Sequence, residues 1–132
     1  MAKKEGVVRL FKSYVKDIEH GGQRRDFIYI KDILKVTDFF IKNSNVNGIF
    51  NVGTGKARSF NDLATALLNS LNKKPIIEYF DMPDELKNKY QYFTEASISK
   101  LIKAGYNKEI LSLENSVSDY VQNYLQKDSS HY

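Results

Sequence analysis

The chain has 132 residues, of which 42% are hydrophobic and 27% charged, which is typical of one globular domain or of part of a larger protein. It contains no cysteine, so disulfides, thiolate metal sites and cysteine nucleophiles are excluded. The net charge of +4 is mild, and its basic residues are scattered among acidic ones, which does not favour a nucleic-acid-binding stripe. No apolar run is long enough for a membrane span or a signal peptide, and we expect a cytoplasmic protein.

The first third of the chain predicts two short strands followed by a helix. Residues 1–6 are polar and are expected to be disordered, residues 7–11 predict a strand, and residues 12–24 predict a loop. Residues 27–30 predict a second strand, because β-branched and aromatic side chains favour strands. Asp32 is predicted to cap the helix that follows. The apolar face of that helix consists of Ile33, Val36, Phe40 and Ile41.

The middle of the chain predicts a strand, a glycine turn, a capped helix and a returning strand. Residues 49–52 form a short apolar run, and the sequence Gly53-Thr54-Gly55 interrupts it. Ser59 and Asp62 have the spacing of a capping box. The helix that they begin has its apolar face on Leu63, Ala64, Leu67, Leu68 and Leu71. Residues 75–80 then predict a fourth strand.

The last third predicts a long loop and two helices. Residues 81–93 form a polar and aromatic loop of a length that is more often functional than idle. Thr94 is predicted to cap a helix that Gly105 ends, and Ser112 to cap a final helix. Apolar positions in these helices are Ile98, Leu101, Ile102, Val117, Tyr120, Val121, Tyr124 and Leu125. Strands and helices alternate, so we expect an α/β arrangement of short strands and about four helices over residues 7–126, with a tail at 127–132.

Two short motifs allow both a structural and a ligand-binding interpretation. The Gly53-Thr54-Gly55 turn follows a predicted strand, as a phosphate-binding loop does, but it lacks the third glycine or the lysine of the known fingerprints. A tight structural turn is therefore favoured over a phosphate cradle. Arg25 and Asp26 form either a surface ion pair or a site where the arginine fork binds a carboxylate or phosphate.

Cations and aromatic side chains favour an anionic ligand that contains a ring, such as a nucleotide-sugar. The residues that could converge on it are Lys12, Arg25, Lys87, Lys89 and Tyr90. In the alternative interpretation, the lysines are solvated and the tyrosine packs over the core. The spacing of these residues leaves both interpretations open. His20 and His131 are far apart, so we expect neither a histidine metal site nor a Ser-His-Asp triad.

Three segments together resemble a known family. The run RDFIYIKD at 25–32, the run GIFNVGTG at 48–55 and the helix that begins at Ser59 are similar to the second half of extended short-chain dehydrogenase/reductases that act on nucleotide-sugars. Within that superfamily, PDELKNKYQYFT at 83–94 resembles a segment of the ADP-L-glycero-D-manno-heptose 6-epimerases, which make the heptose precursor of lipopolysaccharide core. The resemblance covers about residues 7–126.

The resemblance implies that the chain is the C-terminal, substrate-binding part of such an isomerase. In the full-length family an N-terminal Rossmann half binds NADP and supplies a catalytic Tyr-x-x-x-Lys; neither motif occurs here, so no catalytic residue is assigned. We expect no cofactor on this chain and no activity from it alone. The expected partners are an ADP-sugar, the missing Rossmann half and further copies of the chain, with no nucleic acid and no membrane.

The resemblance also implies a set of substrate-binding residues. Arg25 takes the place of the arginine that contacts the nucleotide diphosphate, and Tyr90 that of a tyrosine that contacts the substrate. The family's substrate-lining Phe-Glu-Gly-Ser segment corresponds by position to Phe11, Lys12, Ser13 and Tyr14. This chain departs from that pattern, with lysine for glutamate and about ten additional residues at 15–24.

Two other functions are compatible with the sequence. The chain could belong to an epimerase or dehydratase that acts on another nucleotide-sugar, which the segment around Tyr90 argues against. It could instead be a small basic module that binds nucleic acid or protein, an alternative supported by a pI near 9.1 and by nine tyrosines and eight phenylalanines.

Overall fold

The computed structural model describes residues 6–127; the predictions for residues 1–5 and 128–132 lie outside the described residues. In that range two small sheets pack with five α-helices and one π-helical segment. In chain order the elements are β1 (Val7–Phe11), β2 (Arg24–Arg25), α1 (Ile30–Lys42), β3 (Arg58–Ser59), α2 (Phe60–Ser70), β4 (Ile76–Phe80), α3 (Asp84–Lys87), α4 (Ser99–Lys103), α5 (Leu113–Tyr120) and the π-helix (Val121–Leu125).

The predicted α/β arrangement is confirmed by the pairing of β1 with β4. These strands are parallel, with Val7 opposite Ile76 and Phe11 opposite Phe80, and a long crossover that contains α1 and α2 joins them. β2 and β3 form a second, antiparallel pair. Because β1 and β4 run in the same direction, the residues that follow them lie side by side at one edge of the sheet.

Local capping signals placed two helices and one helix end correctly. The Ser59 hydroxyl accepts the Asp62 amide, and the Asp62 carboxylate accepts the Ser59 amide, each at 3.0 Å, so the capping box of α2 is confirmed. Ser112 caps α5 by accepting the Asn115 amide. Gly105 follows the end of α4 with a φ of +103°, a conformation that glycine adopts readily.

The strand predicted at residues 27–30 is wrong. The backbone before Ile30 is extended but has no strand partner among the described residues, and α1 begins at Ile30 itself. The apolar character of the segment reflects packing instead: Tyr29 is buried, and its hydroxyl donates to Asp119 of α5 at 2.6 Å. Burial and this hydrogen bond raise the pKa of Tyr29 to about 12.

The strand predicted at residues 49–52 is also wrong within the described range. No described segment pairs with it, and Ile49 is 88% exposed. A β-strand needs a neighbour to bind its backbone amides and carbonyls, which an apolar run cannot supply by itself.

Further apolar side chains lie exposed along α1. The predicted self-association of the chain would cover these side chains, and the oligomeric state stays a prediction. They are Ile30, Leu34 and Ile41, the last of which we predicted on the packed face.

The helix caps predicted at Asp32 and Thr94 are wrong. Asp32 lies in the first turn of α1 and is fully buried. Its carboxylate accepts a hydrogen bond from the Leu111 amide at 3.0 Å and forms an ion pair with the Lys35 ammonium at 2.6 Å. Thr94 lies upstream of α4, which begins only at Ser99.

The core beside α1 joins Val36, Leu101 and Tyr106 with Phe39, Phe40, Phe50, Val52 and Ile110. Within residues 6–127 no helix has the length and apolar character of a bilayer span.

Candidate functional site

Arg25 is the last residue of β2 and directly precedes the extended backbone at residues 26–29; its side-chain contacts also hold it in place. Its guanidinium donates to the backbone carbonyl of Arg24 at 2.8 Å and to that of Gln91. The same group lies 5.3 Å from the centre of the Tyr90 ring and 6.0 Å from that of Phe60. The surface ion pair with Asp26 is therefore wrong, because Arg25 faces an aromatic pair instead.

Asp26 is bound inside the glycine turn at 53–55. Its carboxylate accepts the Thr54 amide at 2.7 Å, the Thr54 hydroxyl at 2.6 Å, the Gly55 amide at 3.0 Å and the Ala96 amide at 3.1 Å. Burial alone would raise the pKa of Asp26, but these hydrogen bonds outweigh it and lower the pKa. The turn is thus a structural one, and its amides bind a carboxylate of the chain rather than a phosphate.

An aromatic pocket of about 220 Å³ lies beside Arg25. Its walls include Phe11, Phe60, Phe80 and Tyr90, and Phe11 contacts Phe80 and Tyr90 at centroid distances of 4.8 and 6.3 Å. Gln23, which is 1% exposed, donates to the Phe11 carbonyl at 3.4 Å and fixes the end of β1. Of the six substrate-binding residues that the resemblance implies, the structure therefore brings three together: Arg25, Phe11 and Tyr90.

Lys12 and Tyr14 form a second cluster around Asp81. The Lys12 ammonium lies 3.3 Å from the Asp81 carboxylate, and the Tyr14 hydroxyl donates to it at 2.8 Å. Lys87 lies 4.5 Å from the centre of the Tyr14 ring. We did not predict Asp81, although its place directly after β4 matches that of Lys12 after β1 and is a signal that could have been used.

Ser13 forms hydrogen bonds within its own loop, with Val15 and His20. Its amide donates to Nδ1 of His20 at 3.0 Å, and its hydroxyl exchanges hydrogen bonds with the backbone of Val15. The additional residues at 15–24 thus fold back against the substrate-lining segment of the resemblance. Here the structure gives Ser13 a role in the loop, and a ligand-binding role for it stays a prediction.

The residues present do not fit a nicotinamide dinucleotide. The sequence has no glycine-rich dinucleotide fingerprint, and the amides of Thr54 and Gly55, in the turn that most resembles one, already bind Asp26. Among residues 6–127 there is also no group of three or more metal-ligating side chains. What the site offers is a guanidinium, aromatic faces and a carboxylate that is ion-paired with Lys12, which suit a phosphorylated ligand with a ring.

Comparison with known proteins identifies similar sequences. No protein-family model matches the chain. It is 50% identical over 127 residues to the ADP-L-glycero-D-manno-heptose-6-epimerase of Nitratidesulfovibrio vulgaris, covering 96% of this chain and 39% of that protein. It is 47% identical over 135 residues to the enzyme of the same name from Fusobacterium nucleatum, covering 98% of the chain and 41% of the relative. The chain thus spans about two fifths of the relatives it matches.

Solved structures show a similarity in fold to the same kind of enzyme. The fold matches Helicobacter pylori ADP-L-glycero-D-manno-heptose-6-epimerase with a TM-score of 0.69 and 26% identity, over 92% of this chain and 34% of that one. It also matches RMD from Pseudomonas aeruginosa, solved with NADPH, with a TM-score of 0.67 and 16% identity over 91% of this chain and 36% of that one. In sequence and fold, this chain is therefore similar to the C-terminal part of the ADP-L-glycero-D-manno-heptose-6-epimerases, and its structural neighbours are extended short-chain dehydrogenase/reductases.

Proposed function

We propose that this chain is the substrate-binding part of an ADP-L-glycero-D-manno-heptose 6-epimerase that acts in the cytoplasm. The observation that carries the proposal is identity near 50% to enzymes of that name over nearly the whole chain. The contacts of Tyr90 support it: Phe11 and Tyr90 line one pocket, and the Arg25 guanidinium lies over the Tyr90 ring beside it. These three residues are separated in sequence and have the chemistry that a nucleotide diphosphate requires.

In this proposal Arg25 binds the diphosphate. A guanidinium has five N–H donors in a planar fork, and the two backbone carbonyls that it contacts leave donors for a second acceptor. The rings of Phe11 and Tyr90 offer flat apolar faces to the ring-bearing parts of the ligand. The anchored Asp26 holds the backbone next to Arg25 in place before the ligand arrives.

The proposed division of labour assigns the chemistry to another part of the enzyme. NADP would accept and return the hydride, and a Tyr-x-x-x-Lys pair, which this chain lacks, would move the protons. We therefore expect the purified chain to show no epimerisation of an ADP-heptose even with NADP added. Chromatographic separation of the two heptose epimers after incubation measures this. Turnover by the purified chain would contradict the proposed division.

Replacing Arg25 by alanine tests the proposed site directly. Isothermal titration calorimetry with ADP-L-glycero-D-manno-heptose should show binding that the Arg25→Ala variant weakens about ten- to a hundredfold, since a charge-assisted hydrogen bond contributes about 1.5–3 kcal/mol. The matched control is Arg24→Ala, which removes an exposed arginine from the same short strand.

The competing functions predict different outcomes in the same experiment. Preference for a UDP-sugar would favour an enzyme of the superfamily with another substrate. Binding of a short oligonucleotide that falls steeply with salt would favour a nucleic-acid module. Absence of ADP-heptose binding, or equal loss in the Arg24→Ala and Arg25→Ala variants, would contradict a diphosphate site at Arg25.

A further inference from the structure

Gln23 is a buried polar residue in the wall of the aromatic pocket. Its side chain is almost fully buried, and it lies directly before β2, which ends at Arg25. An amide that is taken out of water without hydrogen-bond partners costs free energy, so a glutamine in such a place needs specific partners. The hydrogen bonds of Gln23 connect the strand of Arg25 to two separate walls of the pocket.

The side-chain amide of Gln23 binds the end of β1. Its Nε2 donates to the carbonyl of Phe11 at 3.4 Å and to that of Lys12 at 3.2 Å. Both partners are acceptors, so the amide nitrogen and not the amide oxygen faces them, and the orientation of the side chain is fixed. The covalent connection between these segments runs through a loop whose middle, residues 14–17, is exposed. The two hydrogen bonds therefore join β1 to β2 by a much shorter path than the chain does.

The backbone of the same residue holds a second wall of the pocket. The Gln23 carbonyl accepts the amide of Phe60, the first residue of α2, at 3.1 Å. The Phe60 ring lines the pocket, and its centre lies 6.0 Å from the Arg25 guanidinium. The next residue, Arg24, donates its amide to the Tyr92 carbonyl at 2.9 Å, which anchors β2 from another side. Gln23 thus connects two pocket walls to a strand that is itself held in place.

We propose that Gln23 is a positioning residue for the ligand site at Arg25, and this inference rests on the proposed function. Its side-chain amide sets the position of the Phe11 ring relative to the Arg25 guanidinium. A ligand that contacts both the guanidinium and the ring requires a fixed separation between them, and a site whose supporting contacts are loose binds less tightly. Without the amide, the two hydrogen bonds are lost, and the end of β1 is free to shift relative to β2.

The first test measures the geometry of the pocket without any ligand. In the Gln23→Met variant a side chain of similar length lacks the N–H donors. Nuclear Overhauser effects between the rings of Phe11 and Tyr90, whose centres are 6.3 Å apart, should weaken in this variant. Those between Phe39 and Tyr106, whose ring centres are 5.5 Å apart in the core beside α1, should stay unchanged. A residue that only stabilised the fold would leave both sets unchanged in the folded protein.

Calorimetry with ADP on the full chain tests whether this geometry controls binding. We expect Gln23→Met to weaken ADP binding about tenfold, which lies within the range of coupling between residues of one hydrogen-bond network. Because Gln23 acts through the Phe11 ring, the double variant Gln23→Met with Phe11→Leu should bind ADP no more weakly than Phe11→Leu alone. The matched control is Gln122→Met, which replaces an exposed glutamine of the π-helix and should keep the wild-type affinity and ring contacts.

Unchanged effects between the Phe11 and Tyr90 rings in folded Gln23→Met, or losses of affinity that add in the double variant, would overturn the inference. The proposed function then still stands if Arg25→Ala loses ADP binding. If the wild type does not bind ADP, the proposed function fails, and the ring effects alone decide whether Gln23 sets the pocket geometry. Thermal melts establish which variants are folded. If Gln23→Met does not fold, Gln23→Asn, whose amide is one methylene shorter, replaces it in both tests and should show the same losses.

Discussion

Replacement of Asp26 by alanine should lower the free energy of unfolding by about 2–4 kcal/mol. The substitution removes the acceptor of three backbone amides, from Thr54, Gly55 and Ala96, and of the Thr54 hydroxyl. Two of the three amides are partly buried, and leaving such donors unsatisfied costs about 1–3 kcal/mol each. Asp26 connects three separate segments, so its loss should also loosen the backbone that positions Arg25.

Urea unfolding followed by circular dichroism measures this loss. The control is Asp17→Ala, which removes an exposed aspartate from the loop between β1 and β2 and should change stability by less than about 0.5 kcal/mol. Equal stability of the two variants would contradict the role of Asp26. The Asp26→Asn variant, which keeps one acceptor oxygen, should lie between the wild type and Asp26→Ala.

The same contacts give the contribution of Asp26 a definite dependence on pH. Because the hydrogen bonds lower its pKa in the folded state below the ordinary value of 3.8, its ionised form stabilises the fold fully above that value. The stabilisation is lost as the pH falls from there through the lowered pKa. The difference in stability between the wild type and Asp26→Ala should therefore be constant near neutral pH and shrink on acidification below about pH 4.

Replacement of Gly53 by alanine should be destabilising by about 2–3 kcal/mol for lack of space. A Cβ at this position would lie 2.5 Å from the Cβ of Ala96 and 2.5 Å from an oxygen of the Asp26 carboxylate. Such overlap forces neighbouring groups to move, and overpacking in well-packed sites typically costs about 1–3 kcal/mol. Movement of the carboxylate would also lengthen its bonds to the turn, which places the expected cost at the upper end.

Comparison of Gly53→Ala with Gly105→Ala separates the cost of steric overlap from the cost of an unfavourable backbone conformation. A Cβ there would meet nothing within 4 Å, but the φ of +103° is unfavourable for alanine, so its cost of about 1 kcal/mol would be conformational. The structure thus predicts a larger loss at Gly53 than at Gly105 in thermal or urea unfolding. The double variant Gly53→Ala with Ala96→Gly should recover part of the loss. A smaller effect at Gly53 than at Gly105 would contradict the close packing of the turn.

The correct sequence predictions concern signals that act over a few residues. The capping box of Ser59 and Asp62, the cap at Ser112 and the helix end at Gly105 each depend on contacts within one turn. The strands β1 and β4 were also predictable, because each is a short apolar run next to a polar loop. The resemblance predicted the family part and named Arg25, Phe11 and Tyr90, which do lie together.

The incorrect predictions concern residues whose partners are distant in sequence. Residues 27–30 and 49–52 have the composition of strands, but no described segment binds their backbone, and composition cannot supply a partner. Asp32 stands where a cap is common, but burial against Leu111, 79 residues away, gives it another role. The pairing of Lys12 with Asp81, 69 residues apart, was likewise not predicted, although both residues directly follow predicted strands, because it depends on the parallel register of β1 and β4.

By itself, the sequence determined the similarity to the epimerases, the α/β class, the caps of two helices and the presence of a glycine turn, because these follow from side-chain types and spacings within short segments. Only the tertiary structure decided that Asp26 fills that turn, that Arg25 faces Tyr90, and that Asp81 neutralises Lys12. The physical reason is that hydrogen bonds, ring contacts and ion pairs act over a few ångströms. Which residues come that close is set by the packing of the whole chain.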